Sequence, residues 1–338
     1  MVGSAPQGAE KHAPTEMSAA ISGAQHRYTA AFALTMLVVI SVFAMLPVAL
    51  SSMADALIVQ GADRVYDMFT GKEIEASDVP KGDAAFINIT AANLDESSGQ
   101  ITLVLAGNRI CTTICPAVTA TFYSLGAVDA RRHGMPPSAS VNVPGTSGSY
   151  TYSIQLPIMG TPQRYPFDDY TLRLGLIILA TMPNGLQQVV DDPAFVRGMT
   201  SMTFENRVSR LVMSPPVPID PATVRAPGDP TDFLMVNSIQ WERPRYLRIL
   251  TAILVVLISA SGIFALGMRT LNELVLGIGG IILGIWGVRS VVVQTPLPDV
   301  TLIDLILGLV ILIMLLALSI RAAIYFYRRS GLRFRRGT

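Results

Sequence analysis

Few residues in this chain have the types and spacing that catalysis requires. An enzyme normally presents a nucleophile beside its base, a set of metal ligands or a glycine-rich phosphate loop. The sequence has no Gly-x-Ser-x-Gly motif, and its histidines fall in polar or Gly/Pro-rich stretches: His12, His26 and His133. Its paired acids fall in stretches typical of turns: Asp168-Asp169 and Asp191-Asp192. We therefore expect no enzymatic activity, no catalytic residue and no cofactor.

The two cysteines of the chain, Cys111 and Cys115, form a Cys-x3-Cys pair. A structural zinc site normally has four nitrogen or sulfur ligands, and no further cysteine or nearby histidine completes such a set here. We therefore expect no metal site. If this segment is exported, the oxidising compartment favours a disulfide between the two cysteines. A pair of buried thiols is the alternative.

Three charged residues interrupt apolar segments in the C-terminal part of the chain: Glu273, Arg289 and Asp304. A charge within a membrane span is costly and commonly functional. In an oligomeric pore, Glu273 would contribute to a ring of carboxylates that selects cations. The alternative is that its carboxylate complements the dipole at a helix start. Because Arg289 and Asp304 both fall near the opposite membrane surface, we expect an ion pair between them.

The apolar segments around these charges are long enough to cross a membrane. The chain is 51% hydrophobic and only 14% charged, whereas soluble domains carry about a quarter charged residues. A spanning helix needs about 20 apolar residues, and four segments meet this length: residues 28–51, 246–267, 271–293 and 301–327. The alternative for the first segment is a cleaved signal peptide. We favour an uncleaved span because its apolar run exceeds the usual signal-peptide core.

The third span is rich in glycine. Four of its glycines follow a three-four-three spacing and therefore share one face of a helix: Gly277, Gly280, Gly284 and Gly287. Small residues let helix backbones approach closely in lipid, so this face predicts helix packing. A narrow pore wall is the alternative, although the span has almost no serine or threonine to line a wet path.

The arginines at the C-terminus predict the orientation of the chain. Residues 328–338 contain five arginines and no acid, and the positive-inside rule places such a tail in the cytoplasm. Counting back through four spans places residues 52–245 outside the cytoplasm. Residues 1–27, which we expect to be disordered because they are polar and lack periodicity, are then cytoplasmic. The lipid bilayer is the predicted partner, and the net charge of +1 argues against nucleic acid.

Residues 82–242 follow a predicted linker over 52–81 and contain short alternating runs broken by Gly, Pro, Asn and Asp. Period-two alternation at this spacing predicts an antiparallel β-sandwich. A proline-dense stretch over 214–230 predicts an irregular crossing before the last strand. The predicted fold is an α+β membrane protein with an extracytoplasmic antiparallel β-sandwich and four transmembrane helices, of which one is N-terminal and three are C-terminal.

Three stretches resemble the pentameric ligand-gated ion channels, especially their bacterial members: residues 164–172 (RYPFDDYTL), 242–246 (ERPRY) and 297–304 (LPDVTLID). The order of a β-domain followed by closely spaced helices also matches, although this chain has its additional span before the β-domain. In that family an acid of the first stretch and an arginine of the second couple the β-domain to the helices. The resemblance implies this role for Asp168 and Arg243.

The residues themselves predict the same contact. Pro166 fixes its own φ and restricts the residue before it, which predicts a tight loop at the membrane-facing end of the β-domain: Tyr165, Pro166, Phe167 and Asp168. Arg243 ends the last predicted strand just before the second span, so it must lie at that same end. We expect Asp168 to pair with Arg243, with two alternative partners: Arg245 and Arg248.

The complete layout, including the N-terminal span, resembles an uncharacterised family of actinobacterial (mycobacterial) integral membrane proteins. This resemblance implies a location in a bacterial plasma membrane and brings no known activity. We predict a non-enzymatic protein whose exported β-domain binds an unknown partner or ligand and is coupled to its helices. The alternatives are an ion channel of the pentameric type, which requires a homo-oligomer, and a cell-envelope scaffold.

Overall fold

The structure is a computed structural model of the 338-residue chain. It describes residues 64–75, 85–111, 116–126, 137–182, 184–193, 200–224, 233–266, 270–292 and 300–334, with isolated positions elsewhere. The first predicted span, residues 28–51, lies outside the described residues except at isolated positions, and so does the tail over 1–27. The chain divides into two compact units, one of which holds the β-domain (residues 49–251) together with residues 287–309.

The β-domain contains strands in two sheets. In chain order the described strands are β1 (Val65–Asp67), β2 (Glu73–Ile74), β3 (Phe86–Asp95), β4 (Gln100–Arg109), β5 (Ala117–Ser124), β6 (Ser138–Val143), β7 (Gly148–Pro157), β8 (Met159–Gly160), β9 (Asp169–Thr181), β10 (Gln187–Val190), β11 (Ser201–Asn206), β12 (Val212–Met213), β13 (Val217–Ile219) and β14 (Met235–Glu242).

The first sheet has the strand order β2-β1-β11-β3-β4-β7, and the second has the order β12-β14-β9-β5-β6. Three short strands join the second sheet beside these: β8 and β10 pair with β9, and β13 pairs with β14. Nearly all neighbours are antiparallel, as the alternating pattern predicts. The pair β11–β3 is parallel, which differs from the predicted all-antiparallel arrangement because β11 enters the sheet through a long connection rather than a hairpin.

Both sheets bury one face in a shared hydrophobic core, which makes the β-domain sandwich-like. Alternate residues of β9 face this core, including Leu172, Leu174 and Leu176, each 0% exposed. Aromatic side chains fill its centre, and the rings of Phe204 and Trp241 lie 6.4 Å apart across the two sheets. Burying such a side chain contributes about 1.5–3 kcal/mol. The period-two pattern in the sequence therefore arises because alternate residues of each strand face this core.

The described strands β3 to β14 all lie within residues 82–242, the region in which the alternating runs predict strands, and two short strands precede it. Residues 52–81, which the sequence predicts as a linker, contain β1 and β2, and these extend the first sheet. The proline-dense stretch over 214–230 contains β13 and a 3₁₀ turn over Pro221–Thr223. Strands of two or three residues carry too little alternation to be recognised, and they form here because neighbouring strands supply their hydrogen-bond partners.

Three long helices follow the β-domain: α1 (Arg245–Leu266), α2 (Leu271–Val292) and α3 (Leu302–Phe334). Two of the described helices are long and apolar enough to cross a membrane, over Arg245–Ala265 and Leu302–Tyr327. In α2 the apolar stretch is shorter, over Leu271–Gly287. Helices α1 and α2 begin and end within one residue of the bounds predicted for the second and third spans. Helix α3 is longer than the predicted fourth span over 301–327, because it continues through Phe334.

The face of α2 that is buried within the chain is not the glycine face. Leu274, Ile278 and Ile285 are at most 3% exposed, and these positions follow the helical repeat. By contrast, a Cβ atom built at Gly280, Gly284 or Gly287 would have no described neighbouring atom within 4 Å. The close packing that the sequence predicts for these glycines is therefore not made by the described residues of the chain. Gly277, the fourth glycine of that face, is half-buried.

Candidate functional site

Strand pairing brings Asp168 and Arg243 to the same end of the second sheet. Strands β9 and β14 are antiparallel, and their register pairs Trp241 with Tyr170 and Glu242 with Asp169. Continuing this register by one residue pairs Arg243 with Asp168. Because α1 begins only two residues after Arg243, the pair lies at the end of the sheet from which the chain enters the helices. This is the location that the sequence predicts.

Arg243 is held by two carboxylates. Its Nε donates to Asp168 Oδ1 at 3.1 Å and to Asp168 Oδ2 at 3.0 Å, and its Nη2 lies 3.0 Å from Asp168 Oδ2. The same Nη2 donates to Glu96 Oε2. The side chains of Arg243, Asp168 and Glu96 are only 2%, 0% and 8% exposed. We call these three residues the buried ionic cluster.

The buried ionic cluster joins three segments that are distant in the sequence. Glu96 lies in the turn between β3 and β4 of the first sheet, and Asp168 ends the loop before β9 of the second sheet. Arg243 lies in the junction between β14 and α1. Its guanidinium therefore links both sheets of the sandwich to the segment that continues as a helix. A movement of either sheet at this point would therefore act on the start of α1.

Electrostatics favour a charged Arg243 and disfavour a charged Glu96. Burial lowers the pKa of Arg243, but hydrogen bonds and charge from Asp168, together with Glu96, outweigh it and raise the pKa above its ordinary value. Burial raises the pKa of Glu96, and the lowering effect of Arg243 does not fully offset it. One guanidinium facing two buried carboxylates leaves an excess of negative charge when both are ionised. The excess is relieved when Glu96 binds a proton.

Two tyrosines enclose the buried ionic cluster. The guanidinium of Arg243 lies over the ring of Tyr165, 4.8 Å from its centroid, which is a cation–π geometry. Tyr170 is 2% exposed, and its hydroxyl oxygen has no partner of normal hydrogen-bond geometry among the described residues. Burial and the charges of Asp168 and Glu96 raise the pKa of Tyr170. The tyrosines exclude water and so strengthen the ionic contacts.

The loop that carries Asp168 has one exposed apolar side chain. It begins with a 3₁₀ turn over Pro162–Arg164, and the Tyr165–Pro166 peptide bond is cis. Tyr165 is 3% exposed and Asp168 is 0% exposed, whereas Phe167 between them is 48% exposed. The loop is tight, as the sequence predicts. It directs Asp168 inward and Phe167 outward.

The alternative partners of Asp168 make other contacts. Arg248, in the first turns of α1, lies 3.2 Å from Glu242 at the end of β14. Glu242 is 52% exposed in its side chain, so this ion pair contributes at most about 1 kcal/mol. No contact between Arg245 and Asp168 is found among the described residues. Arg243 is therefore the arginine that pairs with Asp168.

A second ion pair joins the last turns of α2 to the first turn of α3. Arg289 Nε donates to Asp304 Oδ1 at 2.5 Å, and Nη2 donates to Oδ2 at 3.4 Å. Asp304 Oδ2 also accepts from the backbone N and the hydroxyl of Thr301, at 3.2 Å and 2.8 Å. Thr301 precedes the first residue of α3, so Thr301 and Asp304 form a capping box. The ion pair expected from the sequence is thus combined with a helix cap.

Replacing Asp304 by alanine should weaken this connection. The substitution removes the two hydrogen bonds that Asp304 Oδ2 accepts from Thr301 in the capping box, together with the ion pair with Arg289. We expect a loss of about 1–2 kcal/mol in the free energy of unfolding. The measurement is a denaturation curve of the purified full chain. Arg289→Gln keeps the cap and removes only the pair, so it should lose less than half as much. Equal losses in the two variants would contradict the cap.

Glu273 and Cys111 also have defined local contacts. Glu273 lies in the first turn of α2, where its backbone N donates to Thr270 Oγ1 at 3.3 Å. This contact fits the helix-start interpretation, whereas a carboxylate ring remains a prediction. Cys111 is disulfide-bonded, and its backbone N donates to Ser147 Oγ at 2.7 Å. Cys115, the other cysteine of the sequence, lies outside the described residues.

Sequence reasoning missed two members of this site, Glu96 and Tyr170. Glu96 lies in an acidic turn, Asp95-Glu96-Ser97-Ser98-Gly99, whose composition is typical of an exposed hairpin loop. Tyr170 alternates with core residues and is typical of a buried strand. No spacing signal links Glu96 to Asp168 or Arg243, because its contacts cross from one sheet to the other. Tyr170 lies two residues after Asp168, but nothing in the strand pattern distinguishes it from an ordinary core residue.

Neither a metal site nor a known relative adds to this description. Among the described residues, no group of three or more His, Cys, Asp or Glu side chains could hold a metal ion. No protein-family model matches this chain, and no curated protein matches it. The function must therefore be inferred from the chain's own residues, above all from the buried ionic cluster.

Proposed function

We propose that this chain is a non-enzymatic, polytopic protein of a bacterial plasma membrane whose exported β-domain binds a partner or ligand and is coupled to its helices. In this proposal residues 28–51 and the three helices α1 to α3 span the bilayer, both termini are cytoplasmic, and residues 52–245 are extracytoplasmic. The proposed relatives are the uncharacterised actinobacterial membrane proteins that the layout resembles. The length and apolar composition of α1 and α3 support the membrane location.

The single observation that carries the coupling is the position of Arg243. A buried arginine that joins both sheets lies two residues before a helix whose composition suits a membrane. A change in the β-domain that displaces Asp168 or Glu96 must move Arg243 or leave a charge unpaired. Leaving a buried charge unpaired costs about 3–5 kcal/mol. A movement of the start of α1 together with the β-domain costs less free energy. We use the term coupling for this joint movement.

A channel of the pentameric type is the second candidate, because Asp168 and Arg243, which are in contact, are the two residues to which the family resemblance assigns the coupling role. The exposed glycines of α2 are compatible with close approach of a second copy. This candidate requires a ring of five chains. The mass of the detergent-purified protein distinguishes it from a monomeric receptor or scaffold.

Hydrogen exchange tests the coupling directly. Asp168→Asn removes one charge of the buried ionic cluster, and we expect faster amide exchange in three places: its own loop, the β3–β4 turn and residues 245–251 at the start of α1. A loss of about 1 kcal/mol in local stability corresponds to roughly fivefold faster exchange. The measurement is mass spectrometry of peptides from the full chain in detergent.

The neighbouring acid provides a matched control for this experiment. Asp169 is exposed and accepts a hydrogen bond from the Thr161 hydroxyl at 3.0 Å, outside the buried ionic cluster. Asp169→Asn should therefore leave exchange at residues 245–251 unchanged. If Asp168→Asn accelerates exchange only in its own loop, the coupling is refuted and a scaffold without signalling becomes the better function.

A further inference from the structure

The C-terminal end of α3 extends beyond the length that a bilayer requires. The helix runs over 33 residues, Leu302–Phe334, which corresponds to about 50 Å at about 1.5 Å per residue. The hydrocarbon core of a bilayer is about 30 Å thick. The apolar stretch ends at Tyr327, so the last turns of the same helix must continue past the membrane surface.

Exposed aromatic residues lie where the apolar stretch ends. Tyr325, Phe326 and Tyr327 are 46%, 61% and 80% exposed, and the rings of Tyr325 and Phe326 contact edge to face at 5.6 Å. We call these three residues the aromatic end. Tyrosine and other aromatic side chains concentrate at the level of the lipid headgroups, where one part of the ring is apolar and its surroundings are wet. The aromatic end therefore fixes the depth at which α3 leaves the membrane.

Basic residues follow the aromatic end at once. The helix continues through Arg328, Arg329 and Arg333, and two further arginines follow it in the sequence, with no acid among residues 328–338. Arg321 lies seven residues, or about two helical turns, before Arg328. It is exposed and long enough to extend toward the same surface. A guanidinium can donate two parallel hydrogen bonds to one phosphate group. Arginines at this end of the helix thus match anionic phosphate by their charge and by the hydrogen-bond geometry of the guanidinium group.

We infer that the C-terminal end of α3 binds the anionic phospholipid headgroups of the membrane surface where the helix ends. The site consists of the aromatic end, which sets the depth, and three arginines of the last turns of α3, which bind the phosphates: Arg328, Arg329 and Arg333. It rests on the membrane-spanning arrangement of the proposed function and adds a lipid class to it. Each arginine near an anionic surface contributes about fivefold to the affinity for that surface.

Quenching by brominated lipids tests this inference in the full chain. The variant W286F/F326W places one tryptophan at the aromatic end, while Trp241 stays buried in the β-domain and serves as an internal reference. The protein is reconstituted into vesicles of equal parts phosphatidylcholine and phosphatidylglycerol, with either lipid brominated in turn. We expect at least tenfold stronger binding of phosphatidylglycerol at this site. Its preference should decline with added salt, because screening shortens to about 10 Å at 0.1 M.

Two triple variants in that background decide the outcome. R328Q/R329Q/R333Q should reduce the preference at least tenfold, whereas R64Q/R164Q/R173Q, which alters three exposed arginines of the β-domain, should leave it unchanged. Equal quenching by both lipids, or a preference that survives R328Q/R329Q/R333Q, would overturn the inference. Alkaline carbonate extraction separates the two levels of failure. If carbonate releases the protein from the vesicles, the membrane function fails as well, whereas retained protein without lipid preference refutes the lipid site alone.

Discussion

Replacing Arg243 by alanine should lower the free energy of unfolding of the β-domain by about 3–5 kcal/mol, which is the typical cost of leaving a buried charge without its partner. The substitution leaves Asp168 and Glu96 buried with no cation, and their side chains are 0% and 8% exposed. It also removes the cation from the ring of Tyr165. Few single substitutions in the β-domain should be as damaging, because total stabilities are only about 5–15 kcal/mol.

Denaturant titration monitored by the fluorescence of Trp241 measures this effect. Trp241 is fully buried in the β-domain, and Trp286 is the other tryptophan of the chain, so a W286F background gives one reporter for the β-domain. Arg64→Ala is the matched control. Its ion pair with Glu73 spans 3.8 Å between side chains that are about half exposed, and its loss should cost less than about 1 kcal/mol.

A double-mutant cycle separates the ionic cluster from simple loss of packing. If Asp168 and Arg243 act together, Asp168→Ala should cost much less in the Arg243→Ala background than in the parent chain. The carboxylate of Asp168 is unpaired once Arg243 is gone, so removing it then relieves a cost. Strict additivity of the two substitutions would contradict the interaction that the 3.0–3.1 Å contacts indicate.

Replacing Glu96 by glutamine should abolish a decline in stability that the parent chain shows as the pH rises. Burial raises the pKa of Glu96 above its ordinary value of 4.5. Between the pKa of Glu96 in the unfolded chain and its higher pKa in the folded chain, the folded chain keeps a proton that the unfolded chain has lost. The free energy of unfolding therefore falls as the pH rises through this range. One proton accounts for at most about 1.4 kcal/mol per pH unit. Below pH 4.5 this contribution is fully present, and above the folded pKa it is lost.

The test is the denaturation midpoint of the parent and of Glu96→Gln, measured at a series of pH values from about 4 upward. The two curves should separate as the pH rises from the ordinary pKa of 4.5 to the higher pKa of Glu96 in the folded chain, with Glu96→Gln the more stable above that range. The neighbouring Asp95 has a lowered pKa, chiefly through the Ser97 hydroxyl, and its effect falls in a separate window below its ordinary value of 3.8. Glu73→Gln, an exposed glutamate outside the cluster, should follow the parent. Parallel curves for the parent and Glu96→Gln would disprove the buried proton.

The sequence by itself determined the longer strands, the three helices that follow them and one contact of the candidate site. Alternation located the longer strands because residues such as Leu172 and Leu174 must all face one core. Apolar length located α1 to α3. The contact between Asp168 and Arg243 was predictable because each residue directly adjoins an element whose place in the chain is fixed: the start of β9 for Asp168 and the junction of β14 with α1 for Arg243.

Only the tertiary structure decided the rest. Glu96 enters the site because the β3–β4 turn of the first sheet lies against the end of the second, and no sequence pattern records which turn meets which strand end. The way the elements pack also decided that β11 pairs with β3 in parallel. It likewise decided that α2 buries Leu274 and not its glycine face. Periodicity fixes which side of an element is apolar, but the partner of that side depends on how the elements pack, and packing is a property of the whole chain.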